Sequence, residues 1–253
     1  MKKSLLLTVA VLLLSNNSFA TPETQAEPAP ETTIERTVDK KLTTKQISNT
    51  FSSVEQKVRG SAVRVSDGTG HGSGGLVKYK GMTLVITAEH VADGALGQTY
   101  LISNESEQSL GVLIYKDPVH DISVLYAPVE FKYAKGIKWK PAEKIANVGD
   151  EITYSGYPSW HSLLSFRGNV AGYEVTNDAG TQIMLQTYGW FGCSGSLVYD
   201  GEGRAIGVLW GIDIQRGLPQ ENIIWVAPIQ NLDMDLALKA LCTGLADKPR
   251  ACR

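Results

Sequence analysis

The chain has 253 residues, 43% of them hydrophobic and 20% charged, which leaves room for one two-lobed domain or two small ones. These proportions exclude a disordered chain and a membrane-embedded one. The formal net charge of −2 is small and unclustered, which argues against nucleic acid as a partner.

The first twenty residues stand apart. Lys2 and Lys3 precede an apolar run over residues 5–14, and Ser18 and Ala20 are small residues at the two positions a signal peptidase reads. Ten apolar residues fall short of the roughly 20 needed to span a bilayer. Residues 1–20 are therefore expected to be a cleavable signal peptide. No later segment approaches membrane-spanning length, so the expected mature protein has no membrane span and is periplasmic or secreted. Cleavage removes two lysines and no acids, taking the formal charge from −2 to −4. Residues 21–43 are rich in Pro, Glu and Thr, with too little apolar surface to offset the entropy of ordering, and read as a flexible linker.

The domain itself is expected over residues 44–241. It opens with a helical pattern, Ile47, Phe51, Val54 and Val58, at spacings of four, three and four. From residue 62 the pattern becomes short β-rich runs divided by Gly, Asp, Asn and Pro. Strands are predicted at 62–65, 75–79, 83–87, 100–103, 110–116 and 122–127. A second set follows at 151–157, 169–173, 182–187, 196–199, 204–210 and 223–226. Six strands on either side of a connecting stretch at 128–148 imply barrels or sandwiches and not βαβ units. A closing helix is predicted after Pro228, with Ile229, Leu232, Leu236 and Leu241 as its apolar face. The three cysteines, Cys193, Cys242 and Cys252, lack metal-binding spacing. In an oxidising compartment Cys242 and Cys252 are expected to close a short disulfide in the tail at 242–253, leaving Cys193 unpaired.

Peptide hydrolysis at neutral pH needs a nucleophile and a base to take its proton. A serine hydroxyl is weak until that happens, and imidazole suits the task because its pKa lies near the operating pH. A carboxylate must hold the imidazole tautomer, and backbone N–H groups must meet the oxygen that becomes negative. Three segments carry these groups. Val85-Ile86-Thr87-Ala88-Glu89-His90-Val91 is a β-branched strand ending in small residues with a histidine just beyond. Asp121-Ile122-Ser123-Val124-Leu125 puts an acid at the mouth of an apolar strand. Gly192-Cys193-Ser194-Gly195-Ser196-Leu197-Val198 puts a serine in a glycine turn feeding another strand. Gly192 lets the N–H groups of residues 192 and 194 converge as an oxyanion hole. His90, Asp121 and Ser194 are thus the expected base, orienting acid and nucleophile. Neither metal nor organic cofactor is required.

At these residues the sequence resembles the trypsin-like serine proteases of the chymotrypsin fold, particularly the bacterial HtrA-like periplasmic group. The Thr87-Ala88-Glu89-His90 element is similar to the family's histidine motif and the Asp121 element to its aspartate motif. Gly72-Ser73-Gly74-Gly75, Val148-Gly149-Asp150-Glu151, Gly156-Tyr157-Pro158, Gly168-Asn169-Val170, Gly207-Val208-Leu209-Trp210-Gly211 and Val226-Ala227-Pro228-Ile229 resemble further family elements, from about residue 46 to 240. The resemblance implies an all-β fold of two six-stranded antiparallel barrels with a short N-terminal and a C-terminal helix. It implies a serine endopeptidase acting on protein or peptide substrates through an acyl-enzyme. It also implies a primary pocket walled by Tyr188, Leu209, Trp210 and Gly211. Tyr188, six residues before Ser194, is not an acid, so small or medium apolar side chains are the expected preference.

Three departures stand out. Cys193 replaces the usual Asp or Asn, so it cannot pair with a newly cleaved N-terminus as the acid of digestive relatives does. Ser196 replaces a common second glycine. About a dozen residues follow the last predicted helix, so the PDZ domain usual in HtrA-like proteins is not expected. Among competing groups, His71, His120 and His161 read as surface residues and Asp117, before Pro118, as a turn acid. The glycine register disfavours Cys193 as nucleophile. An α/β-hydrolase needs Gly-Xaa-Ser-Xaa-Gly and its histidine last, and both fail. The non-enzyme alternative is a catalytically silent binding or chaperone-like member of the same fold.

Overall fold

The structure, a computed structural model, describes residues 50–244 and Cys252. The expected signal peptide and linker, and Ile47, lie outside these residues.

Helix α1 (Ser53–Ser61) begins at a capping box. The Ser52 hydroxyl accepts from the Glu55 N–H at 3.2 Å, and the Glu55 carboxylate accepts from the Ser52 N–H at 2.6 Å. Serine here satisfies one free donor of the first turn, so the helix starts after Phe51 and only Val54 and Val58 of the predicted stripe lie on it. Glu55 also receives two bonds from the Arg167 guanidinium, through Nε and through Nη2, the latter at 2.9 Å.

Strands β1 (Ala62–Ser66), β2 (His71–Tyr79), β3 (Met82–Thr87), β4 (Thr99–Ser103), β5 (Gln108–Asp117) and β6 (Ile122–Tyr126) close into one barrel. Their order is β1-β4-β5-β6-β3-β2, with β2 paired back to β1. A further strand, β7 (Ile137–Lys138), lies in the connecting stretch and runs parallel to β2. The second barrel is closed by β8 (Glu151–Gly156), β9 (Leu164–Thr176), β10 (Gly180–Gln186), β11 (Leu197–Asp200), β12 (Ala205–Gln215) and β13 (Leu218–Pro228). Each predicted strand corresponds to one of these twelve, and the fold is the two six-stranded antiparallel barrels that the resemblance implies. The largest length differences are at β2, β9, β12 and β13. The last two continue as a hairpin past the barrel, through a turn in which Arg216 (φ 53°) and Gly217 (φ 77°) are both left-handed.

Strand periodicity sorts the side chains into three cores. On β3, Val85 points into the first barrel, whereas Leu84 and Ile86 point out of it. On β11, Val198 points into the second barrel, whereas Leu197 and Tyr199 point out. The outward-facing sets meet in a shared layer that also takes up helix α2 (Met234–Gly244). That helix differs from the prediction. Pro228 ends β13, Ile229–Asn231 form a 3-10 turn, and Asp233 Oδ1 caps α2 by accepting from the N–H groups of Asp235 and Leu236. The turn resets the helical phase, so Met234, Ala237, Leu238 and Leu241 face the core and Leu236 is 50% exposed. Cys242 on α2 is disulfide-bonded to Cys252, with a Cα–Cα distance of 5.3 Å. Among the described residues no helix is long and apolar enough to cross a membrane.

Candidate active site

Strand β3 is buried at every position, and small, fully buried Ala88 lets the chain turn tightly into the 3-10 turn Glu89–Val91 that carries His90. Across from it, Asp117 ends β5 and closes the turn to β6. Its Oδ1 accepts from the N–H groups of Val119 and His120, and its Oδ2 lies 2.6 Å from His120 Nδ1. His120 is thereby paired with Asp117, not with Asp121. Asp121 follows in a left-handed conformation at φ 54°, a region that non-glycine residues seldom occupy. This turns its carboxylate onto His90 at two points. Oδ1 accepts from the His90 N–H at 2.8 Å, and Oδ2 lies 2.7 Å from Nδ1. Bonded this way, the neutral imidazole carries its proton on Nδ1 and leaves the Nε2 lone pair open. The bond to Asp121 raises the His90 pKa above its ordinary value. Burial opposes the rise, while the charges of Asp121, Glu89 and Asp93 add to it.

Ser194 belongs to the other barrel, in the turn before β11. Gly192 (φ 96°) and Gly195 (φ 88°) are both left-handed, and neither has room for a side chain. A Cβ on Gly192 would lie 2.5 Å from the Tyr157 carbonyl oxygen, and one on Gly195 would lie 2.1 Å from that of Ser73 and 2.9 Å from the Ala88 nitrogen. The Gly195 contact sets the serine turn against the residue that begins the His90 turn. The Ser194 hydroxyl donates to the Trp210 carbonyl at 3.4 Å. Among the described residues no hydrogen bond joins it to His90, and the N–H groups of Gly192 and Ser194 donate to no protein acceptor.

Cys193 is 0% exposed and packs in the second-barrel core. Burial pushes its thiol pKa up, the opposite of what a thiolate nucleophile needs. Of the expected pocket residues, Tyr188 is 42% exposed and stacks near Phe166, and Gly211 faces open space. The Trp210 indole N–H donates at 2.9 Å to Oε1 of Gln182, a buried side chain that sequence reasoning missed. Leu209 is different. Its side chain lies in the barrel core, and its backbone bonds Gly195 and Ser196, so it braces the serine turn and does not wall the cleft.

His71 also departs from expectation. It is partly buried, not a surface residue. Its ring lies 3.9 Å from that of Trp160, and its Nε2 bonds the Tyr157 carbonyl at 2.9 Å, against Gly192. Burial and the nearby Arg64 charge lower its pKa, against the effect of the Tyr157 carbonyl. A histidine flanked by two glycines reads as loop; only the register of β2, which starts four residues earlier than predicted, places it inside.

The model of the trypsin-like peptidase domain matches residues 60–208. Among curated proteins, the pro-apoptotic serine protease NMA111 of Candida glabrata is 29% identical over 188 residues, 69% of this chain and 18% of that protein. The protein of the same name from Yarrowia lipolytica is 30% identical over 148 residues, 54% of this chain and 15% of its own length. The chain thus spans less than a fifth of either relative. Among solved structures, the inactive form of Rv3671c from M. tuberculosis superposes with a TM-score of 0.59 at 16% identity, covering 77% of this chain and 93% of that one. The active form of the Rv3671c protease gives 0.58 at 16% identity, over 79% and 87%. These two share the fold. From the domain match together with the two-barrel architecture, the chain belongs to the trypsin-like peptidase family.

Proposed function

We propose that the chain is an exported endopeptidase that hydrolyses peptide bonds in proteins or peptides through Ser194, with His90 as base and Asp121 as orienting acid. The observation that carries this reading is the double attachment of Asp121 to His90, through Nδ1 at 2.7 Å and the backbone N–H at 2.8 Å. His90 Nε2 takes the Ser194 proton as the hydroxyl attacks the scissile carbonyl, and the imidazolium is stabilised by the Asp121 carboxylate. The oxyanion is met by the N–H groups of Gly192 and Ser194, which have no competing protein acceptor among the described residues. The imidazolium then protonates the leaving amine, and water attacks the acyl-enzyme by the same route in reverse. A preference for small or medium apolar side chains before the cut is supported by Tyr188, which is not an acid and whose ring lies beside that of Phe166. Export is supported by the pattern of residues 1–20 and by the Cys242–Cys252 disulfide.

The second reading is a silent binding member of the family. It is favoured by one contact, the Ser194 hydroxyl turned to the Trp210 carbonyl and not to His90. Such serine–histidine bonds are often long before substrate arrives, so the first reading stands. A fluorophosphonate probe separates the two. We expect labelling of the mature protein and none of Ser194→Ala; equal failure of both, in folded protein, selects the silent member. A peptide library profile dominated by Lys or Arg overturns the apolar preference and directs attention to Glu221, whose backbone carbonyl bonds Gly189 beside Tyr188.

A further inference from the structure

An acid at residue 193 would let an ion pair brace the serine turn, but Cys193 sits in an apolar core. What holds the turn here is neutral, and two of its hydrogen bonds come from one residue of the opposite barrel. Ser73 on β2 is fully buried. Its hydroxyl donates to the Gly192 carbonyl at 2.6 Å and accepts from the Tyr157 N–H at 2.9 Å. Its backbone N–H donates to the Ser194 carbonyl at 2.7 Å, and its carbonyl accepts from the Thr87 hydroxyl at 2.7 Å. One residue therefore ties both ends of the Gly192–Ser194 turn to the neighbouring loop at Tyr157 and to the strand end that leads into His90.

The two peptide planes that meet at Gly192 are fixed separately. The Phe191 carbonyl accepts from the Ser159 N–H at 2.8 Å, which directs the Gly192 N–H the opposite way. The Gly192 carbonyl is taken by Ser73, and the Cys193 N–H by the Trp190 carbonyl at 2.9 Å. Glycine at a positive φ rotates readily. Without the Ser73 hydroxyl, the Gly192–Cys193 carbonyl has no partner on the barrel side and the Tyr157 N–H is left buried without an acceptor. The losses fall on both sides of the Gly192 N–H: on the carbonyl of Gly192 itself, and on the Tyr157–Ser159 segment whose Ser159 N–H holds the Phe191 carbonyl.

We propose that Ser73 is the positioning residue of the oxyanion hole, holding the Gly192–Ser194 turn in working shape in place of a charged brace at residue 193. This rests on the endopeptidase reading above. A group that preorganises donors for the transition state changes turnover more than substrate binding. Ser73→Ala is therefore expected to lower kcat about 10- to 100-fold while KM stays within about twofold. The affinity of a peptide boronate, which mimics the tetrahedral species, should fall in parallel with kcat/KM. Ser73→Cys, with a weaker donor in nearly the same space, should fall between. Rates are taken per active site titrated with a fluorophosphonate. A merely structural residue would lower the titre or the melting temperature and leave kcat per site unchanged; that result, in either variant, overturns the proposal. A second arm needs no activity. In the Ser194→Ala background, Ser73→Ala should speed hydrogen exchange across residues 190–196, and unchanged exchange there also overturns it. A wild-type protein that neither labels nor cleaves defeats the endopeptidase reading, and the exchange measurement still decides whether Ser73 braces the turn.

Discussion

At the scale of single residues, the Asp121–His90 pair makes stability and activity run in opposite directions with pH. His90, the proposed base, would work only when neutral, and its pKa lies above the ordinary 6.5. Activity should therefore fall as pH drops through that raised value. The contribution to stability has the other sign. A histidine whose pKa is raised by folding is most stabilising below its unfolded pKa, and the effect is lost as pH rises through the folded one. Asp121→Asn should lower kcat by about 10⁴ and move the acid limb of the kcat/KM profile to lower pH; a profile that keeps its midpoint removes Asp121 as the partner. Cys193 offers a second test. Cys193→Asp would bury a charge in a core cluster with no cation, at a cost of about 3 kcal/mol or more. Urea unfolding would show it, whereas Cys193→Ser should cost far less.

At the scale of elements, α1 works as a strap from the chain entrance to the second barrel. The Arg167 guanidinium, together with the Ser52 cap, holds the Glu55 carboxyl down to about 2 from 4.5, against the opposing effect of burial. The attached stability is present above the unfolded pKa and disappears as pH falls from about 4.5 through 2. Glu55→Gln keeps a capping side chain but removes the charge. Its difference from wild type in urea midpoint should be clear at pH 7 and close across that window. Ser52→Ala should cost about 1 kcal/mol at pH 7. Elements were also what the sequence showed best. Alternating apolar residues and Gly-rich turns located all twelve barrel strands, because a half-buried strand writes its period directly into the chain. The exceptions have local causes. Strand β9 is longer than predicted because most of its residues are partly or wholly exposed, and the ends of β12 and β13 pair only with each other. Both helices were misplaced by caps, since Ser52 and Asp233 decide where the helical phase begins. At the site, His90, Asp121 and Ser194 could be picked out because each follows or precedes a strand. Ser73 and Gln182 could not, since their importance lies in partners more than twenty residues away.

At the scale of the molecule, the proposed reacting groups are divided between two barrels. His90 and Asp121 hang from the first and Ser194 from the second, and a layer containing Leu84, Ile86, Leu197, Val208 and the face of α2 separates their cores. Trimming that layer should be costly. Ile86→Ala is expected to destabilise by about 2–5 kcal/mol, read from urea unfolding. Reduction of Cys242–Cys252, which closes a span of ten residues, should remove roughly 2.5 kcal/mol in the chain-entropy account and lower the melting temperature by roughly 5–10 °C. The division of the site has a thermal consequence. Heating that lets one barrel slide slightly against the other would carry His90 out of reach of Ser194 while each barrel is still folded. Inactivation should therefore precede melting, and rapid cooling from between the two temperatures should restore full turnover.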